Sequence, residues 1–101
     1  MTTADDTRRI ETELAALVAG VPGVAYLSPN LLRQLTRPGG PSGGVRLRTG
    51  APPRVEVWIA VRAGHQAAAT ARAVRAAITA SLGARPGLAG APVRVVVTAT
   101  A

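Results

Sequence analysis

Acid–base or nucleophilic chemistry in this 101-residue chain would have to be built from one histidine, five acids and three serines. A general base needs its partner within hydrogen-bond reach. His65 follows Gly64 at the expected start of a helix, with no acid near it in sequence, so it reads as an exposed helix-start residue. Asp5, Asp6, Glu11 and Glu13 crowd into the first 13 residues, where they suit a helix cap and a solvated helix face. Glu56 stands alone on a strand, within pairing reach of Arg46 or Arg48, which suits a cross-strand ion pair. Ser28, Ser42 and Ser81 have no base to activate them, so no hydrolytic triad is expected.

The absence of cysteine excludes disulfides, thiolate metal sites and a cysteine nucleophile. With so few His, Asp and Glu, no metal-ligand cluster is expected either. The glycine-rich run GGPSGG at 39–44 lacks the Lys-Ser/Thr ending of a phosphate-binding loop and precedes a strand instead of a helix. The expectation is a chain with no catalytic residues, no metal and no cofactor.

The charge is one-sided. Twelve basic residues face five acids, a net +7, and all twelve are arginine. Alanine, glycine, valine and proline are abundant and phenylalanine is absent, a composition that a GC-rich genome favours. That bias accounts for arginine in place of lysine, but not fully for the scarcity of acids. A surplus of this size favours acidic partners, whether nucleic acid, lipid headgroups or protein.

Periodicity gives the elements that must position these arginines. Ile10, Leu14, Leu17 and Val18 form the stripe of a helix over 7–19, with Glu11 and Glu13 expected toward solvent. Residues 24–27 read as a short strand after the Pro22-Gly23 turn. Ser28-Pro29 resembles a helix start, with Leu31, Leu32 and Leu35 in a brief turn, and RPGGPSGG at 37–44 reads as a loop.

Residues 45–49 and 55–62 alternate with period two and form an antiparallel hairpin. A second helix over 66–82 buries Ala67, Ala71, Val74, Ile78 and Leu82 and stops at Gly83. Residues 93–100 are the last strand.

The order is α-β-β-β-α-β. The expected fold is one α+β domain over 1–101, a two-layer sandwich. Two helices cover one face of a mostly antiparallel mixed sheet of three or four strands. The opposite face carries Arg46, Arg48, Trp58, Arg62 and Arg94, with Glu56 among them. Trp58 ringed by arginine suits a protein-docking surface. The same face could hold nucleic acid, with arginines on phosphates and Trp58 on a base, as a KH-like module would. Tyr26 and Trp58 are the sole aromatics, and no GXXG clamp appears between helices, so that reading ranks second.

The run VPGVAYL at 21–27, then VRLR at 45–48, then VEVWIAV at 55–61 ending at Gly64, resembles the alkaline shock protein family of bacterial envelope stress response proteins. AVRAAI at 73–78 and VRVVV at 93–97 continue the likeness. The resemblance implies a non-enzymatic cytoplasmic scaffold that associates with its own kind and docks to protein partners, among them a small membrane-anchored one. The Pro/Gly-rich middle and the basic balance depart from the family pattern. The polar, acidic start MTTADDTRRIE lacks signal-peptide character, and no run of about 18 apolar residues is present, so a cytoplasmic location without a membrane span is expected.

Overall fold

A computed structural model describes residues 4–27 and 44–101 of the chain. The element order is α1 (Ala4–Ala19), β1 (Val24–Leu27), β2 (Val45–Arg48), β3 (Arg54–Val61), α2 (Ala67–Gly83) and β4 (Val93–Thr100). This is the expected α-β-β-β-α-β order. The helix start at Ser28-Pro29 and the loop that follows it lie, apart from Gly44, outside the described residues.

The eight residues of β3 organise the sheet. β4 runs parallel to it along nearly its whole length, from Val55↔Val93 to Val61↔Thr100. β1 and β2 are both antiparallel to β3, β2 along its first half and β1 along its second. The backbone bonds separate the two edges. Val55 N–H donates to Pro92 on the β4 side, while Trp58 N–H donates to Gly44 and Arg62 N–H to Gly23 on the other. Since donors alternate between edges along a strand, β1 and β2 lie end to end on one edge of β3. The sheet is mixed and four-stranded, with α2 as the crossover between its parallel pair.

Period-two burial on β3 builds the floor of the core. Val55, Val57, Ile59 and Val61 are buried beside Val45 and Leu47 of β2. Leu14 and Val18 of α1 and Val74, Ile78 and Leu82 of α2 close over them, so both helices lie on one face of the sheet and touch each other. Each large side chain buried in this way contributes about 1.5–3 kcal/mol. Leu88 and Ala91 join the core from the turns between α2 and β4.

Both helices are rotated slightly from the stripes the sequence suggests. In α1, Leu17 is 39% exposed, whereas Glu11, expected toward solvent, is only 1% exposed. The buried line runs through Glu11, Leu14 and Val18, at i, i+3 and i+7. The physical reason is a backbone donor: Leu47 N–H donates to Glu11 Oε2 at 2.8 Å. Arg46 pairs directly with Glu56, and Glu56 N–H shares the β2 edge of β3 with Trp58 N–H, so by alternation Leu47 N–H points away from β3. Glu11 therefore occupies a donor on the outer edge of β2. Helix α1 also starts earlier than expected, which puts Asp5 and Asp6 inside its first turn, where the helix dipole favours acids.

In α2 the stripe is Thr70, Val74, Ile78 and Leu82. Ala67 is exposed and Ala71 is half-buried, so Thr70 takes the place expected for the alanines. The cause is close packing against the turn before β1. Gly23 has φ +94°, and a Cβ there would meet Thr70 Oγ1 at 2.6 Å and His65 Nδ1 at 3.0 Å. Only a residue without a side chain lets Thr70 and His65 come this close.

Candidate arginine surface on the open sheet face

Residues opposite each other in a ladder share a face, as do alternate residues along a strand. The register thus defines the face turned away from the helices in rows. Arg48 lies opposite Arg54. Next, Arg46, Glu56 and Arg94 stand side by side across three strands. Beyond them come Trp58 opposite Val96, and then Ala60 between Tyr26 and Ala99. No helix or strand among the described residues covers this face. It has two halves: arginines beside the start of β3, aromatic and small residues beside its end.

Three of the five residues singled out from sequence, Arg46, Arg48 and Arg94, come together around Glu56. Trp58 is the next residue along this face of β3 and is half-buried. Arg62 is exposed but stands apart: it follows β3, six residues beyond Glu56, about 20 Å at ~3.3 Å per residue. Arg54 is a member that sequence alternation missed, because the strand was expected to start at Val55. Its even position, two before Glu56, was the available signal. His65 is also remote from Glu56, lying beyond the end of β3 next to Gly23.

One carboxylate serves this cluster. Arg48 Nε donates to Glu56 Oε1 at 2.6 Å, a diagonal contact between neighbouring rows. That hydrogen bond, with the charges of Arg48, Arg46 and Arg54, holds the Glu56 carboxyl below its ordinary value of 4.5 against an opposing effect of burial. Among the described residues, Arg46, Arg54 and Arg94 form no ion pair with any acid. The cluster therefore has a local surplus of positive charge.

The surplus borders a concavity. A cleft of about 430 Å³ is lined by Arg48, Arg54, Glu56, Pro92, Val93 and Arg94, together with Val55. A second hollow of about 380 Å³ shares Arg48 and Arg54 and continues over Gly50, Ala51 and Pro52 of the β2–β3 turn. Guanidinium forks match carboxylate and phosphate oxygens in a bidentate way. The arrangement is thus suited to holding anionic oxygen groups.

The remaining acids serve local roles. Asp6 pairs with Arg9 within α1, and Glu13 Oε2 accepts from Arg85 at 2.6 Å, tying α1 to the segment after α2. Among the described residues no three His, Cys, Asp or Glu gather as a metal site would require. No described helix is long and apolar enough to cross a membrane. No protein family, curated protein or solved structure matches this chain.

Proposed function

We propose that this protein is a non-catalytic interaction domain that docks an acidic protein partner on the open face of its sheet. The observation that carries this reading is the arginine row itself. Four arginines share with a single acid a face that no helix or strand among the described residues covers, beside a cleft, while Asp6, Glu11 and Glu13 are engaged elsewhere. A scaffold role of the kind implied by the alkaline shock resemblance, with a membrane-anchored partner, is the form this proposal takes in a cell.

Nucleic acid is the second reading, because Trp58 adjoins the arginines and could stack on a base. Protein is favoured because Trp58 is half-buried and already has an interaction of its own.

A binding titration separates the two. Fluorescent polyglutamate and a single-stranded oligonucleotide of matched length are titrated against the wild type, Arg46→Glu/Arg94→Glu and Arg72→Glu/Arg75→Glu. Both doubles change net charge equally, but Arg72 and Arg75 are exposed on α2, in the other layer. Loss of polyglutamate binding by tenfold or more in the first double alone supports the proposal. Equal loss in both doubles, or tighter binding of the oligonucleotide, overturns it.

A further inference from the structure

The two edges of the sheet are treated differently. On the β2 edge, the outward Leu47 N–H is occupied by the buried Glu11 carboxylate. Among the described residues nothing equivalent occurs on the β4 edge, and β4 pairs with β3 alone. Because Val55 N–H donates to Pro92, the inward donors of β4 are those of Arg94 and Val96, and the N–H and C=O groups of Val93, Val95 and Val97 point outward. Among the described residues these groups have no hydrogen-bond partner.

Exposed edges are ordinarily blunted by lysine, proline, a bulge or a covering loop. Residues 93–97 contain no proline or lysine, and the first register shift against β3 comes only beyond Ile59↔Val97. Four of these five residues are valine, a strong strand former. The side chains flanking the edge differ by face. Val93 and Val95 pack partly on the core and Val97 is 37% exposed, which makes the helix side apolar. On the other side Arg94 is exposed and lines the arginine cleft.

We propose that β4 accepts an extended segment of a protein partner as an added strand. Alternate side chains of that segment are acidic toward Arg94 and apolar toward Val95 and Val97. This rests on the docking reading above and specifies its partner: a strand of alternating acidic and apolar residues. Backbone bonds to the edge supply affinity, and the two faces supply selectivity. Charge decides the occupant. A second copy of this chain would bring another net +7 to the same edge, whereas an acidic strand offsets the unpaired arginines.

The test uses a labelled peptide alternating glutamate and valine, with two further versions N-methylated at every second residue in one or the other phase. N-methylation keeps the charge and removes the donors that would face β4. The protein variant is Val97→Pro, which deletes an outward N–H and leaves the ladder to β3 intact. Expected are binding of the parent peptide, at least tenfold weaker binding of one N-methylated phase, and at least tenfold weaker binding by Val97→Pro with an unchanged circular dichroism spectrum.

If both N-methylated peptides bind as tightly as the parent, strand addition is overturned while docking on the arginine face stands. If Arg46→Glu/Arg94→Glu binds the parent peptide as the wild type does, the docking reading falls with it. Failure of the parent peptide to bind overturns the strand proposal, and dimerisation of the wild type in sedimentation would then assign the edge to a second copy.

Discussion

Glu11 in the middle of α1 and Leu47 in β2 are joined by a buried hydrogen bond across 36 residues of chain, with the carboxylate accepting the strand's N–H. It fixes how α1 sits over the edge of the sheet. A hydrogen bond to a charged group contributes roughly 1.5–3 kcal/mol, and removing one partner leaves the other buried and unpaired. Glu11→Ala is therefore expected to destabilise the protein by about 2–3 kcal/mol in urea denaturation. Glu13→Ala, which breaks a more exposed contact to Arg85, should cost under ~1 kcal/mol. Equal losses would show that Glu11 is not a positional anchor.

Glu56 predicts a pH dependence. Its folded-state carboxyl is held below 4.5, chiefly by the Arg48 hydrogen bond. A depressed folded-state value stabilises the fold above the unfolded value, and the contribution disappears as pH falls through the folded-state value. The Arg48 side chain is 40% exposed, so solvent screens the pair and its worth is on the order of 0.5–1 kcal/mol. Wild type should exceed Glu56→Gln in stability by that amount at about pH 7, and the gap should close as pH drops below 4.5. A gap that stays constant down to about pH 2.5 would contradict the assignment.

Two glycines predict opposite outcomes. Gly23→Ala forces a left-handed φ of +94° on an alanine and places its Cβ 2.6 Å from Thr70 Oγ1. The backbone penalty and the clash together cost roughly 2–4 kcal/mol. Gly83, in the last turn of α2, has no positive φ, and a Cβ added there would meet nothing within 4 Å. Gly83→Ala should raise stability by up to ~1 kcal/mol by restricting the unfolded chain. Thermal melts of the two variants should move in opposite directions.

Arg62 tests how far the binding face extends. It stands about 20 Å along the sheet from Glu56, at roughly 3.3 Å per residue. Arg94→Glu should weaken binding of an acidic peptide by about tenfold, or ~1.4 kcal/mol, whereas Arg62→Glu should change it by less than about twofold. The same titration reads both, and equal effects would extend the face to the far end of β3.

What the sequence revealed followed from how regular each local pattern was. On β3, valine and isoleucine alternate with Glu56 and Trp58 without interruption, so the strand and its buried face could be read, whereas its register against β1, β2 and β4 could not. β4 was located to the residue for the same reason. Helix α1 was legible as a helix but not in its rotation. Hydrophobicity alone ranks Leu17 as core and Glu11 as surface, and only the position of Leu47 N–H, set by tertiary pairing, reverses that order. Thr70 escaped similarly, since its burial depends on the absent side chain of Gly23. Within the arginine face, alternation grouped Arg46, Arg48 and Arg94 correctly. Arg62 obeyed the same parity yet stands apart, because parity assigns a face and says nothing of distance along it.

The end-to-end placement of β1 and β2 has a consequence for the chain's topology. Leu27 stands opposite Ile59, Gly44 is bonded to Trp58, and Val45 stands opposite Val57. In register, Gly44 is thus the residue that would follow Leu27, on the correct face. β1 and the segment from Gly44 through β2 line up along β3 as one antiparallel strand would. Joining Leu27 directly to Gly44 should leave an unbroken strand along β3. A shortened protein that folds with the same strand content would identify this point as a port at which the sheet accepts foreign sequence.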